Sequence, residues 1–305
     1  MKEDNLPAYI PPYYRAWLLL SKLRKSLKRR QAPFLRRARS NEEAPVCPAG
    51  KEHLLELVKT AEPNAINKTA FHYKEDLALP NVAGVVSEIE ALEKLLDIDK
   101  LRYSNFAGNF SPADYRADSQ ERKMWEMTWL ILNSGVTVGS SVLDVGGAST
   151  PFSFYLANKG NKVRVIDNDW GDNGLVYNAN YIARKMNWNL AAVNRDAASR
   201  LPYEDGSFDF VFSLCVLEHL DPHARRSVIR EIARVMRSGA TAAMTFDYDA
   251  ARDDESQDKG LRFSDINTIN RDIIMPSGLR PYGNSKVYDD YGEKEFLGAL
   301  FLRKI

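Results

Sequence analysis

The feature that most limits what this chain can fold into is a change of rhythm near Ser119. From there, short apolar runs and amphipathic stretches alternate toward the C-terminus. Gln120 to Leu132 has helical spacing, and Ser141 to Val145 is a short apolar strand that runs into Gly146-Gly147. A helix over Phe152 to Asn158, a strand over Val163 to Ile166, a helix around Tyr181 to Met186 and a strand over Leu190 to Val193 follow. Phe208 to Leu214 reads as a strand, Pro222 to Met236 as a helix, Thr241 to Phe246 as a strand and Phe296 to Leu302 as one more. Strands and helices alternating at this interval build βαβ units. They predict an α/β fold, a doubly wound and mostly parallel sheet with helices on both faces. In such a sheet, ligands bind outside the carboxyl ends of the strands.

Upstream, the chain reads differently. Ten basic residues and no acid lie between Arg15 and Arg39, with Trp17, Leu20, Leu23 and Leu27 at helical spacing. Residues 15–39 are therefore expected to form a basic amphipathic arm, bounded by Pro11-Pro12 and Pro33. The formal charge of the chain is +1, but outside the arm 32 basic and 41 acidic residues leave −9. Such arms lie on anionic bilayers, or pack on the protein body or on a second subunit. Residues 1–110 are expected to be a helical extension, with helical patterns at Glu52 to Thr60 and Val85 to Leu96 and loop chemistry from Asn105 to Asp118. Residues 111–305 are expected to be the α/β domain. No apolar run approaches the ~18 residues of a bilayer span. Two cysteines, Cys47 and Cys215, make neither a disulfide framework nor a four-thiolate zinc site. The expected location is cytoplasmic, with the arm able to reach the inner face of the membrane.

The first strand of the domain ends Leu143-Asp144-Val145-Gly146-Gly147-Ala148-Ser149-Thr150. Glycine directly after a strand lets backbone amides come close to a ligand. The G-x-G-x-x-G of a dinucleotide fingerprint is missing, and the carboxylate two residues before the first glycine suits a cation better than a pyrophosphate. Asp167 ends the second strand, where a carboxylate accepts hydrogen bonds from ribose hydroxyls. Asp196-Ala197 follows the third strand, where a carboxylate can meet an adenine amino group. Phe208-Asp209-Phe210-Val211 and Leu217-Glu218-His219-Leu220 frame the end of the fourth. Any one of these acids alone would read as a solvated loop residue. What singles them out is their shared edge of the sheet.

In order and spacing, these residues resemble the class I, Rossmann-like S-adenosylmethionine-dependent methyltransferases, in their small-molecule branch, from about Ser119 to the C-terminus. The resemblance implies a seven-stranded sheet with an antiparallel last strand at Phe296 to Leu302, and S-adenosylmethionine as cofactor. It places Asp144, Gly146 and Gly147 around the methionine portion and sulfonium, and Asp167 with Asn168 at the ribose. Asp196 and Ala197 fall at the adenine, and Ser213 or Cys215 on the floor near the sulfonium. Where the family usually reads D-x-G-x-G-x-G, this chain has Ala148 and Thr150. Alanine serves there if its φ is negative, and Thr150 suits a helix cap.

Methyl transfer from a sulfonium is an in-line displacement, so the enzyme supplies alignment, desolvation and, for a hydroxyl acceptor, a base. His219 is the first candidate, with Glu218 beside it and Asp247 and Asp249 ending the fifth strand on the same edge. The competing reading is that Glu218 and His219 only order the junction to a helix begun by Asp221-Pro222. Cys215 reads as a small buried hydrophobe rather than a nucleophile. No metal is expected, although Glu218 and His219 are able to ligate one. Residues 250–292 read as an insertion that lids the acceptor, with Arg271 or Arg280 to hold a phosphate or carboxylate.

Pro276-Ser277-Gly278-Leu279, Phe246-Asp247-Tyr248 and Gly298 to Leu302 are similar to methyltransferases of bacterial surface-polysaccharide clusters. That implies methylation of a hydroxyl on a small or glycan-type acceptor. Two alternatives stand beside it. One is a nucleic-acid methyltransferase that grips phosphate through the basic arm. It is opposed by the net acidity of the catalytic part, and by the lack of Asn-Pro-Pro-Tyr or Pro-Cys after the fourth strand. The other is a non-catalytic membrane- or partner-binding protein on a degenerate scaffold, for which only the altered glycine loop speaks.

Overall fold

Alternation decides the architecture. In the computed structural model, β3 (Ser141–Val145) sends Val142 into one hydrophobic cluster and Leu143 and Val145 into another on the opposite face. In β6 (Phe208–Leu214), Phe212 and Leu214 lie on one face and Val211 on the other, and Phe208, beyond a register shift, joins the cluster of Val211. A sheet that is apolar on both faces needs helices on both. The residues described are 54–58, 65–70, 73–99, 101, 117–169, 174–248, 263, 265–289 and 296–305. The basic arm at 15–39, Cys47, the stretch 105–116 and Asp249 lie outside them.

The helices divide accordingly. α1 (Tyr73–Leu77), α2 (Pro80–Ile98), α3 (Ala117–Ser134), α4 (Pro151–Asn158) and α5 (Leu175–Lys185) precede or interleave with β3, β4 (Lys162–Asp167) and β5 (Leu190–Asn194). Ile89, Trp125, Leu130, Phe152, Phe154 and Ile182, from α2 to α5, cover the first face. α6 (Pro222–Val235) covers the second with Val228, Ile229, Ile232 and Val235. It is joined there by a helical stretch made of α7 (Ile266–Ile269), a π-helical turn (Asn270–Ile274) and α8 (Met275–Ser277). Ile269, Ile273 and Ile274 of that stretch enter the same cluster.

The remaining strands are β1 (Glu56–Val58), β2 (Lys68–Ala70), β7 (Met236–Tyr248), β8 (Arg280–Pro281), β9 (Lys286–Asp289) and β10 (Phe296–Arg303). The sheet runs β1-β9-β2-β10-β7-β6-β3-β4-β5, and β8 pairs with β10. From β7 to β5 all neighbours are parallel. β10 is antiparallel to both β7 and β2, with Leu300 opposite Met244 and Gly298 opposite Thr69. The expected doubly wound sheet with its antiparallel last strand is therefore present. At ten strands it is wider than seven, because the segment before residue 110 and the insertion before β10 both supply strands.

One local reading is corrected. Glu52 to Thr60 reads as a helix on the spacing of Leu54, Leu55 and Val58, yet Glu56–Val58 is a strand beside β9, with Glu56 opposite Lys286. Tertiary context overrides a weak three-residue stripe here. The Leu55 side chain is buried, and its amide donates to Asn270 Oδ1 at 3.0 Å, which fixes the chain in extended form. The described part of the insertion is held to the body by Asp272. Its carboxylate accepts from Arg225 at 2.9 Å and from Arg226 at 2.8 Å, both on α6. Arg271 lies against the same carboxylate at 3.1 Å.

Candidate active site

The loop after β3 is shaped by two glycines. Gly146 has φ +87, its amide donates to Ile166 O at 2.7 Å, and a side chain there would run into Val216. A Cβ on Gly147 would land on the Asp144 carboxylate. The chain then turns through Ser149 at φ +63 into Thr150, whose hydroxyl donates to Gly147 O at 2.8 Å and accepts from Ser153 N at 3.5 Å. Thr150 is the expected cap of α4. Ala148 is not among the positive-φ residues, so alanine is accommodated where the family usually has glycine.

Asp144 sits beneath this loop, fully buried. Its Oδ2 accepts from the Ser153 hydroxyl at 2.5 Å, while Oδ1 is buried without a hydrogen-bond partner. Burial pushes its pKa up to about 7, and the charge of Asp167 adds to the push against the Ser153 hydrogen bond. Asp167, at the end of β4, accepts from the Ala148 amide at 2.9 Å and so ties two strand ends together. Its pKa also rises, through burial first and then the neighbouring Asp169. Asn168 follows, partly buried.

Asp169 was not singled out by motif. It is buried, accepts from Val176 N at 3.4 Å at the start of α5, and keeps Oδ1 without a partner. The signal for it was an acid two residues beyond a strand end that already carries one. Asp196 is exposed after β5 and uses Oδ1 to hold the Ala198 amide at 2.8 Å, while Ala197 packs against the second cluster. Ser213 is buried and donates to Val145 O at 3.3 Å.

The ends of β6 and β7 make the other half of the site. Cys215 has φ +50, and Leu217–His219 forms one 3₁₀ turn. Glu218 is buried there, with Oε1 accepting from the Asp247 amide at 3.0 Å and Oε2 left without a partner. Burial raises its pKa to about 8, and the charge of Asp247 adds to that. His219 is exposed, yet desolvation on its inner side lowers its pKa; Asp247 works against that shift and Lys123 with it. The Cys215 Sγ, a Glu218 carboxylate oxygen and an Asp247 carboxylate oxygen all lie within 4.8 Å of one another, three atoms able to ligate a cation.

Three further side chains come from elsewhere in the fold. The Cys215 thiol donates to Glu126 Oε2 at 3.0 Å, and the Thr245 hydroxyl donates to the same oxygen at 3.1 Å. Lys123 donates to both Glu126 oxygens, at 3.0 and 3.1 Å. Burial pushes the Cys215 thiol well up, with the charge of Glu126 adding to it, which fits a packed thiol rather than a nucleophile. In sequence, Lys123 and Glu126 sit among Met124, Trp125 and Met127 and look like the solvated side of a helix.

Residues 142–239 match the family model for a methyltransferase domain. This segment is similar to methyltransferase domains. S-adenosylmethionine is the cofactor that such a domain takes. The residues present fit that group, because the buried, orphaned Asp144 Oδ1 beneath the glycine loop invites a cationic or hydrogen-bonding partner. Among solved structures, this chain is similar to the YcgJ protein of Bacillus subtilis, at 21% identity over 41% of this chain and 51% of that one, with a TM-score of 0.36. The match thus spans about half of that chain. A SAM-dependent methyltransferase from Aquifex aeolicus matches at 19% identity over 59% of this chain and 90% of its own, with a TM-score of 0.44. The [4+2]-cyclase SpnF matches at 18% identity over 64% and 85%, with a TM-score of 0.49. Among the described residues, no helix is long and apolar enough to cross a membrane.

Proposed function

We propose that the chain transfers a methyl group to a hydroxyl of a small or glycan-type acceptor. The observation that carries this reading is the sharing of one sheet edge. The Asp144 to Thr150 loop, tethered to Asp167, lies at the same strand ends as Glu218, His219 and Asp247. S-adenosylmethionine supplies a methyl group on a sulfonium, an electrophile that an oxygen attacks in line. Asp144, Gly146 and Gly147 hold its methionine end, Asp167 and Asn168 the ribose, and Asp196 and Ala197 the adenine, with Ser213 and Cys215 flooring the space between. His219, with its pKa lowered, is neutral near pH 7 and takes the acceptor's proton. Asp247 orients a second hydroxyl, and Glu218 pins the Asp247 main chain. A sugar as acceptor and a role in surface-polysaccharide assembly rest on motif similarity alone.

Calorimetry with S-adenosylhomocysteine tests the cofactor site. Asp167→Ala removes both a ribose acceptor and the tether to Ala148, so affinity should fall by more than about tenfold. Unchanged affinity would sink the assignment. Residues 15–39 are proposed to attach the enzyme to an anionic membrane surface or to a second subunit, which keeps it at the cytoplasmic face. Flotation with anionic vesicles should lose the protein once residues 1–40 are removed, and equal flotation with and without them excludes the membrane.

A further inference from the structure

Where β6 and β7 end, the fold brings one sulfur and two carboxylates to a point. We propose that Cys215, Glu218 and Asp247 form a site for one divalent cation of the zinc class, held through that sulfur and an oxygen of each acid. The Cys215 Sγ and the two carboxylate oxygens lie within 4.8 Å of one another. Small side-chain rotations close them on an ion with bonds of about 2.3 Å to sulfur and about 2.1 Å to oxygen.

A second observation is independent of that spacing. Glu218 is 1% exposed, and its Oε2 has no hydrogen-bond partner. A buried polar atom left so costs stability, and native folds nearly always give it a partner. A cation supplies one, and it offsets the crowding of two acids in the same corner.

The ligands are set in place by bonds of their own. Cys215, at φ +50, donates its amide to Thr245 O at 3.0 Å, which seats it against β7. Glu218 Oε1 accepts from the Asp247 amide at 3.0 Å, so Glu218 fixes the backbone of its fellow ligand and keeps Oε2 for the ion. The thiol donates to Glu126 Oε2 at 3.0 Å, and Lys123 is forked onto both Glu126 oxygens. As sulfur binds the ion, the S–H bond breaks and its proton leaves to solvent, while Lys123 keeps Glu126 from opposing the thiolate. A sulfur ligand selects against magnesium and calcium. Three protein ligands leave one position open, which orients an acceptor oxygen. That use of the ion rests on the hydroxyl-acceptor reading; the binding site does not.

The test uses the untagged full chain, stripped of metal with a chelator and dialysed against Zn²⁺ or Co²⁺. One equivalent of Zn²⁺ should bind, and Co²⁺ should give a sulfur-to-metal charge-transfer absorption in the near ultraviolet. Cys47→Ser should keep that absorption and Cys215→Ser should lose it. Cys215→Ser and Glu218→Gln should each weaken Zn²⁺ binding by at least about tenfold. Gln still offers an oxygen to the Asp247 amide, so its loss reports on the ion rather than on that bond. No bound Zn²⁺, an absorption that survives Cys215→Ser, or Mg²⁺ bound as tightly as Zn²⁺ overturns the proposal. Should Cys215→Ser fail to fold, Glu218→Gln decides, and unchanged Zn²⁺ affinity overturns it. S-adenosylhomocysteine calorimetry on the same samples keeps the two readings apart: a wild type that binds none refutes the cofactor site, while the metal result stands.

Discussion

A carboxyl group sealed from water holds its proton, and this site contains two of them. Asp144 and Glu218 have folded pKa values of about 7 and about 8, above the 3.8 and 4.5 of open chains. Between those limits the folded state binds more protons than the unfolded one. The stability these groups contribute is therefore complete below about pH 4 and is lost as pH rises through 7 and 8. Asp144→Asn should flatten that loss, seen as a smaller drop in the chemical-denaturation midpoint between about pH 4 and 7 without cofactor. An unchanged slope would move the ionisation elsewhere. At this scale, sequence reading succeeds where a residue's role follows from its place after a strand, as with Asp144, Asp167 and Glu218. It misses Lys123 and Glu126, because only the packing of α3 against the end of β7, at Thr245, brings them to the chemistry.

At the scale of elements, the short turn carrying Glu218 and His219 is held by a side chain from α6. Arg225 donates to Leu217 O and Leu220 O, both at 2.9 Å, stacks over Phe263 with 4.4 Å to the ring centroid, and pairs with Asp272 of the π-helical turn. The insertion before β10 thus braces that turn through one buried carboxylate. Asp272→Asn leaves the Arg225 charge buried and unbalanced, and should cost about 3 kcal/mol of unfolding free energy in denaturant titration. A cost near zero would show that the brace is dispensable. Pro222 to Val235 was legible from its cap and its spacing, and the Asp221 carboxylate indeed accepts from His223 N and Ala224 N at 2.9 Å. The brace was not, because Arg225 and Asp272 are 47 residues apart. β1 escaped for a similar reason, since its partner β9 lies far along the chain.

Across the whole molecule, β2 and β9 decide how the sheet ends. β2 covers the outer edge of β10 from Leu297 to Ala299, and Asn67 stitches the join. Asn67 donates to Tyr282 O and Asn284 O, each at 3.2 Å, and accepts from Phe301 N at 2.7 Å. A chain lacking residues 1–72 should expose that edge and lose its discrete peak in size-exclusion chromatography to aggregates. Asn67→Ala should weaken the join and lower the melting temperature without that aggregation. A monodisperse truncated protein would show that β10 tolerates a bare edge. The parallel half of the sheet was readable from its alternating apolar runs. The edge was not, because strands of three residues carry too little pattern to be told from helix or loop.

β10 has a consequence for how the protein is made. It is synthesised after both of its neighbours, β2 and β7, yet it lies between them inside the sheet. A ribosome therefore releases β2 long before β9 and β10, its partners, exist, and the parallel half ends on a raw β7 until β10 emerges. Vectorial synthesis leaves this protein with a waiting period. During that period β2 and β7 each present an unpaired edge.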